Sequence, residues 1–519
     1  MDQQCAGGVL AVNCTIAGAT RIVGPRGLRY GSQTLNAYAL KIDRTPLCRH
    51  RPERLRAPAL GRLAVALAAC AIAAGLGCDR GTPVAAIAGL PAVSSGPPSG
   101  AGPDAEIKPA GIQNEPEAPA DVRYRGLWVL CEGSRRVLED PARIEQLIED
   151  AQALEVTDLF VQVYRGGRAW FASELADDAP YQAILDAGSA DPLALLIAQA
   201  HGAGLRVHAW VNVLSLSRNR QAPILQELGA GAIHVDRRGR SILDYPEDLE
   251  LPLTDHGWYR VGTPGIYLDP GAPGVSVRLV AVFRELVLRY PKLDGLHLDY
   301  IRHPGVLPFV PGSRFGVGLD FGYGEASRLR FRRETGVRGP YADEAAPDPS
   351  RLVNANRWDA WRRDKVTELV AQIGEATSKT NPQLRLSAAV ISYLDRAYLS
   401  LAQDWRRWLE DGLIDFAVPM VYSKDDRLLR YQVEAFASGS QSQRIWAGVG
   451  VWLFDNDPER ASVQLEIVRR AKLGGDALFS YDAIYDANAA APAPNLFSVI
   501  ANGSRNTAPS AVPSVGASD

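Results

Sequence analysis

Asp294-Gly295-Leu296-His297-Leu298-Asp299-Tyr300-Ile301-Arg302-His303-Pro304 decides how this chain is read. A short apolar run, too brief for a helix, ends abruptly in charged and turn-forming residues. That pattern predicts a buried strand over Gly295–Leu298 that delivers Asp299 at its carboxyl end. Side chains alternate along a strand, so His297 and Asp299 share one side. A carboxylate there, beside Arg302 and His297, has a tunable pKa and is a candidate nucleophile or acid/base.

Seven further apolar runs flank this one: Gly126–Leu130, Leu159–Val163, Arg206–Val211, Arg385–Val390, Phe416–Val421, Arg444–Val449 and Ala477–Ser480. Segments of helical spacing separate them, such as Ile144, Leu147, Ile148 and Ala151, or Trp358, Trp361, Val366, Leu369 and Ile373. Alternating strand and helix implies a parallel sheet with crossover helices. Eight such units predict an α/β fold, a (β/α)8 TIM barrel over residues 122–500. Long loops follow strand 3 (212–274) and strand 4 (303–355). Loops after strands lie on the face where barrel enzymes place their sites.

Polar and aromatic residues just past the strands are the remaining candidates. Glu132 follows strand 1, and Tyr164 and Arg165 follow strand 2. His208 and Asn212 alternate to one face of strand 3, where Trp210 reads equally as core. Tyr422 and Asp425 follow strand 6, Trp452 strand 7, and Tyr481 and Asp482 strand 8. Aromatic rings stack on sugar faces while hydroxyls bond to Asn, Asp, Arg and Tyr. Glu132, Tyr164, Arg165, His208, Asn212, His297, Arg302, Tyr422, Trp452 and Tyr481 are therefore candidates for binding substrate. Glycosidic hydrolysis usually needs two carboxyl groups, one protonated and one not. Asp299 is the first candidate; Asp425, Asp482, Asp426, Glu132 and Asp395 compete for the second, with Asp425 and Asp482 put forward.

These stretches resemble the glycosyl-hydrolase-like family 10 domain, a group of bacterial barrels. The likeness rests on Arg125-Gly126-Leu127-Trp128, Phe160 to Arg165, Pro192 to Asn212, Tyr267-Leu268-Asp269-Pro270-Gly271, Asp294 to Pro304, and Ile414 to Tyr422. It implies a polysaccharide-acting hydrolase without fixing the sugar. The family often carries two adjacent acids at the strand-4 motif, whereas here Tyr300 follows Asp299. The chain is also similar, more distantly, to family 18 chitinases at Asp294, Gly295, Asp299, Met420 and Tyr422. Ile301 stands where their catalytic Glu belongs, so chitinase chemistry by that route is not expected. The expected function is a cell-envelope glycosidase cleaving a glycan by carboxylate acid/base chemistry. The alternative is a non-catalytic glycan-binding or scaffold lipoprotein on a decayed barrel.

The ends of the chain are of another kind. Arg51, Arg54, Arg56 and Arg62 precede an uncharged apolar run from Leu63 to Gly77, the layout of a signal peptide over 55–78. Cys78 is the favoured lipid-attachment residue and Cys70 the competitor, which implies an exported, lipid-anchored protein of the cell envelope. Residues 1–54 read as lying upstream of the true start, a non-ATG codon near Leu55. Residues 79–121, rich in Pro, Ala, Gly and Ser, read as a flexible linker, and 501–519 as a disordered tail. Of six cysteines only Cys131 lies in the barrel, and no Cys/His cluster of zinc-finger spacing occurs, so neither a metal nor another cofactor is expected. Net charge is −3 with acids and bases almost balanced, which argues against nucleic acid as a partner.

Overall fold

Eight of the apolar runs form barrel strands: β1 Tyr124–Val129, β2 Asp158–Arg165, β3 Arg206–Asn212, β4 Gly295–Asp299, β5 Arg385–Ile391, β6 Phe416–Met420, β7 Trp446–Gly450 and β8 Gly475–Phe479. Each pairs in parallel with the next, and β8 pairs with β1, closing the ring. The molecule, a computed structural model, is described over residues 123–245, 260–307, 320–490 and 495–505. The signal peptide, linker, Cys78 and residues upstream lie outside these. The expected tail overlaps a helix, Leu496–Arg505, which carries the described chain to 505.

The strands read as continuous apolar runs because both faces are buried. Outward residues such as Leu127, Val129, Leu159, Val161 and Val207 meet the surrounding helices. Inward ones, Trp128, Phe160, Trp210, Phe416, Val418, Trp446 and Ala477, fill the barrel. The helices start where the chain supplies an acceptor and a proline together. Asp140 caps Ala142 N ahead of Pro141–Ala153, and Asp191 caps Ala194 N ahead of Pro192–Gly202.

The lower end of the ring is plugged. The Arg385 guanidinium lies 4.7 Å from the ring centre of Phe416 and 5.5 Å from that of Tyr124. Above it Phe160 stacks on His297, centroids 4.2 Å apart. Among the described residues these side chains fill that end, which leaves the opposite, C-terminal mouth as the face for a ligand.

One irregularity matters for the site. β2 carries a bulge: Gln162 pairs with Trp210, yet Tyr164 pairs with Val211. Two residues of β2 oppose a single step of β3, so parity changes beyond Gln162.

The two insertions at the mouth are joined. The chain after β3 and the chain after β4 pair antiparallel as a two-stranded ribbon, Arg260–Val261 with Val306–Leu307. The bridge Asp236↔Phe321 adds to the connection, and Ile233↔Leu268 closes the first insertion on itself. A satellite core of Tyr323, Phe331, Tyr341, Trp358 and Trp361 seats the second insertion on the helix Ala355–Ser378.

Candidate active site

Asp299 is the last residue of β4 and shares the inward face with His297, as alternation requires. It pairs in register with Asn212 at the end of β3 and is only 6% exposed. Its carboxylate accepts from Tyr300 N at 2.6 Å and Arg302 Nη1 at 3.4 Å through Oδ1, and from Trp210 Nε1 at 3.3 Å through Oδ2. Tyr300 adopts a left-handed backbone, φ 52°, and its amide donates to the side chain before it. Such a conformation is uncommon for a residue with a Cβ and is a mark of functional turns. Burial raises the Asp299 carboxyl above the ordinary aspartate value, despite the opposing pull of Arg302, the Tyr300 amide and Trp210. Loss of water outweighs three stabilising contacts, and the group is biased toward holding its proton.

Tyr422, two residues beyond β6, shares this pocket. Its ring is partly exposed, but its hydroxyl is out of water and has no protein hydrogen-bond partner. Burial first, then the negative charge of Asp299, pushes this phenol well above its ordinary value. It therefore stays a neutral donor at any physiological pH. Gly450 lets two aromatics approach over β7: a Cβ there would stand 3.1 Å from Tyr422 Cδ1 and 3.1 Å from Trp452 Nε1. Phe479 packs against both Tyr422 and Trp210, with centroids 5.6 Å and 6.3 Å away. The mouth thus combines an acid with an aromatic lining, which suits a sugar ring.

Behind Asp299, Gln162 Nε2 donates to Asn212 Oδ1 at 3.3 Å, and Cys131 Sγ–H reaches Gln162 Oε1 at 3.2 Å. Burial raises the Cys131 thiol well above its usual value, so it serves as a donor here and not as a nucleophile. On the rim, Glu132 pairs with Arg165 at 3.1 Å, with Arg168 Nη1 at 3.9 Å.

Asp299, Asn212, Arg302 and Tyr422 come together as expected, with Trp452 adjoining. Trp210, Tyr300, Gln162 and Phe479 join them without having been put forward as ligands. The signal for Trp210 and Gln162 was the same inward parity that singled out Asn212.

Six expected residues have other employment. His208 is inward but near the floor: it is fully buried, its Nε2 lies 2.9 Å from Asp158 Oδ1, and Arg206 holds the other side of that acid. His297 sits one layer below Asp299. Trp128 Nε1–H donates to its Nε2 at 3.1 Å, and its Nδ1 faces Ser387 Oγ at 2.9 Å. Burial holds it neutral, well below the ordinary histidine value, so it supports the mouth from beneath. Tyr164 is turned outward by the β2 bulge and packs edge-on to Phe283, 5.4 Å away. Tyr481 leaves the barrel and donates to Asp150 Oδ2 at 2.8 Å. Asp482 holds the turn after β1, accepting from Arg135 N at 2.9 Å and Leu130 N at 3.4 Å. Asp425 caps the helix Asp426–Ala437 through the amides of Arg427 and Leu428. Asp425 also lines an outer groove with Lys424, Asp426, Arg427 and Arg460, where Asp426 is paired with Arg460 at 2.9 Å.

Residues 123–451 match the family model described as glycosyl hydrolase-like 10. The chain belongs to the glycosyl hydrolase-like 10 family. It is 25% identical over 319 residues to glycosyl hydrolase DigH of Escherichia coli (strain K12), covering 58% of this chain and 62% of that protein. It is 22% identical over 332 residues to glycosyl hydrolase YngK of Bacillus subtilis (strain 168), covering 59% of this chain and 55% of that protein. The matched part thus spans less than two thirds of either relative. Among solved structures the chain is similar to an alpha-L-fucosidase isoenzyme 2 from Paenibacillus thiaminolyticus, with TM-score 0.48 and 14% identity over 74% of this chain and 49% of that one. It is also similar to the catalytic domain of beta-amylase from Paenibacillus polymyxa, with TM-score 0.46 and 12% identity over 73% of this chain and 97% of that one. The glycosyl hydrolase-like 10 match takes in β1 to β7, and with them Asp299, Asn212, Arg302 and Tyr422. Asp482 and Tyr481, which hold the closing turn and an outer helix, fall beyond it.

Proposed function

We propose that this protein is a glycoside hydrolase in which Asp299 is the general acid. The observation that carries the reading is a carboxyl at the end of β4, buried and raised above its ordinary value by that burial, beside the unpartnered hydroxyl of Tyr422. A glycosidic oxygen needs a proton as its bond breaks, and a carboxyl biased toward the neutral form supplies one. Tyr422 O–H has its donor capacity free for a sugar hydroxyl. Arg302 and the Tyr300 amide then receive the carboxylate that proton transfer leaves behind.

The ionised partner is assigned to Glu132. Asp425, Asp426 and Asp482 are engaged in caps, turns and ion pairs, and Asp395 accepts from the amide of its own neighbour Arg396. Glu132 stands on the rim just past the carboxyl end of β1, in an ion pair with Arg165 at 3.1 Å. On this reading the barrel is exported and held at the envelope through Cys78. Among the described residues no helix is long and apolar enough to cross a membrane.

Digestion of a polysaccharide panel by the purified protein, read by mass spectrometry, tests the reading. Cleavage of one member that is lost in both Asp299→Asn and Glu132→Gln is expected. Tight binding of a glycan with no cleavage of any would replace it with the binding-module alternative. Metabolic labelling with a radiolabelled fatty acid checks the anchor: Cys78→Ser should abolish incorporation, and unchanged labelling would reject that residue.

A further inference from the structure

Three residues with no part in the proposed chemistry meet where the two insertions join. His234 lies in the insertion after β3, Asp269 at its far end, and His303 four residues beyond Asp299. All three are buried, and their potential ligand atoms lie within 4.8 Å of one another. The two imidazole rings are 4.3 Å apart, and His234 Nδ1 is 3.9 Å from Asp269 Oδ2. Neither nitrogen of either ring has a hydrogen bond to protein. Buried polar groups rarely stay unmatched, and here one nitrogen of each ring lies near the other beside a carboxylate.

We propose that His234, Asp269 and His303 bind a divalent first-row transition cation, preferably zinc, that clamps the two insertions together. Two imidazoles and one carboxylate are a common zinc donor set, with a fourth position open to water. Zinc–ligand bonds put tetrahedral donors about 3.3 Å apart, so modest side-chain rotation from the observed spacing suffices. Burial keeps the ring lone pairs available: the His234 imidazole falls to about 4 and His303 goes well below its ordinary value. The Phe321 carbonyl, which also accepts from Arg362 Nη1, acts on His303 in the opposite sense without reaching hydrogen-bond geometry.

The surroundings resemble an outer coordination shell. Ser327 Oγ donates to Asp269 Oδ2 at 2.8 Å and Gly271 N to Oδ1 at 2.9 Å, fixing the carboxylate. Backbone bonds hold each ligand's segment: His234 N to Tyr267 O, Asp269 N to Ala232 O, and His303 N to Leu401 O. Among the described residues Arg362 acts on both rings and is itself paired with Asp359, while Arg363 acts on His303 alone.

The test does not depend on any glycan being cleaved. The full chain, purified without metal-affinity chromatography, is stripped with a chelator, reloaded with zinc and assayed by elemental mass spectrometry. About one equivalent is expected, falling to roughly a tenth or less in His234→Gln and His303→Gln. Ser327→Ala should weaken binding by about 10-fold while leaving the fold intact. Free zinc at about 100 times Kd should raise the melting temperature of the stripped wild type by about 3 °C. Cobalt should give the visible d–d bands of a low-symmetry histidine–carboxylate site. No uptake, no cobalt spectrum and no melting response in the wild type would overturn the proposal, as would full occupancy in both histidine variants. The wild-type measurements decide the matter even if those variants fail to fold.

Discussion

Replacing Asp299 by Asn leaves size and shape almost unchanged and removes the titrating proton. Tyr300 N and Arg302 Nη1 both donate to Oδ1, so the amide oxygen takes that place. The amide nitrogen then faces Trp210 Nε1–H across 3.3 Å, donor against donor. Losing that bond costs about 1–2 kcal/mol. Against this, the amide carries no charge to strip of water, and the raised carboxyl shows that burial disfavours the ionised acid. The two effects oppose each other, so folding stability at pH 7 should change by no more than about 1 kcal/mol. Catalysis should respond far more: losing a general acid costs about 10²–10⁴ in rate, or roughly 3–5 kcal/mol of barrier. Reducing-end release from the cleaved glycan gives the rate, and a thermal melt with near-UV circular dichroism gives the fold. A natively folded variant within about threefold of wild-type turnover would refute the assignment. Stability carries a second signature. A raised carboxyl binds more protons in the native state than in the unfolded one. Wild-type stability should therefore fall as pH rises from about 3.9 through the native pKa, and this slope should vanish in the variant.

Tyr422→Phe removes a hydroxyl that no protein group satisfies, so melting temperature should hold or rise while turnover drops about 10- to 100-fold; a loss of stability with full activity would contradict this. If Asp299 is the acid, the alkaline limb of the kcat/KM profile should lie above about pH 3.9, and the limb should disappear in Asp299→Asn. Asp158→Ala leaves His208 and Arg206 without their buried partner and should cost about 3 kcal/mol in urea unfolding; in the wild type the Arg206 and His208 contacts depress the Asp158 carboxyl, so its contribution is present above about pH 3.9 and fades as pH falls. Gly295→Ala would bring a Cβ to 1.9 Å from His208 Nδ1 inside a filled barrel, and should lower stability by about 1–3 kcal/mol in the same assay.

Much of this was legible in the amino-acid order. Strands covered on both faces read as unbroken apolar runs, and the acid that ends β4 followed from parity with His297. Parity, however, reports which side a residue faces and not how high it stands. His208 and Asn212 share a face, yet one lies near the plugged end and the other at the mouth. Partners distant in sequence were equally hidden: Asp482 serves a turn some 350 positions earlier. The helix cap at Asp425 could have been read, because an aspartate just before the spaced apolar residues Leu429, Val433 and Phe436 is a start signal. The histidine pair stayed invisible because its members and Asp269 are spread over two insertions and carry no recognisable spacing.

The bulge in β2 works like a phase slip. Upstream of it, even-numbered side chains belong to the barrel's interior; downstream, Tyr164 is sent among the helices and Arg165 inherits the rim beside Glu132. One surplus residue thereby decides whether a cation or a phenol stands at that edge of the mouth. Backbone count alone makes that choice.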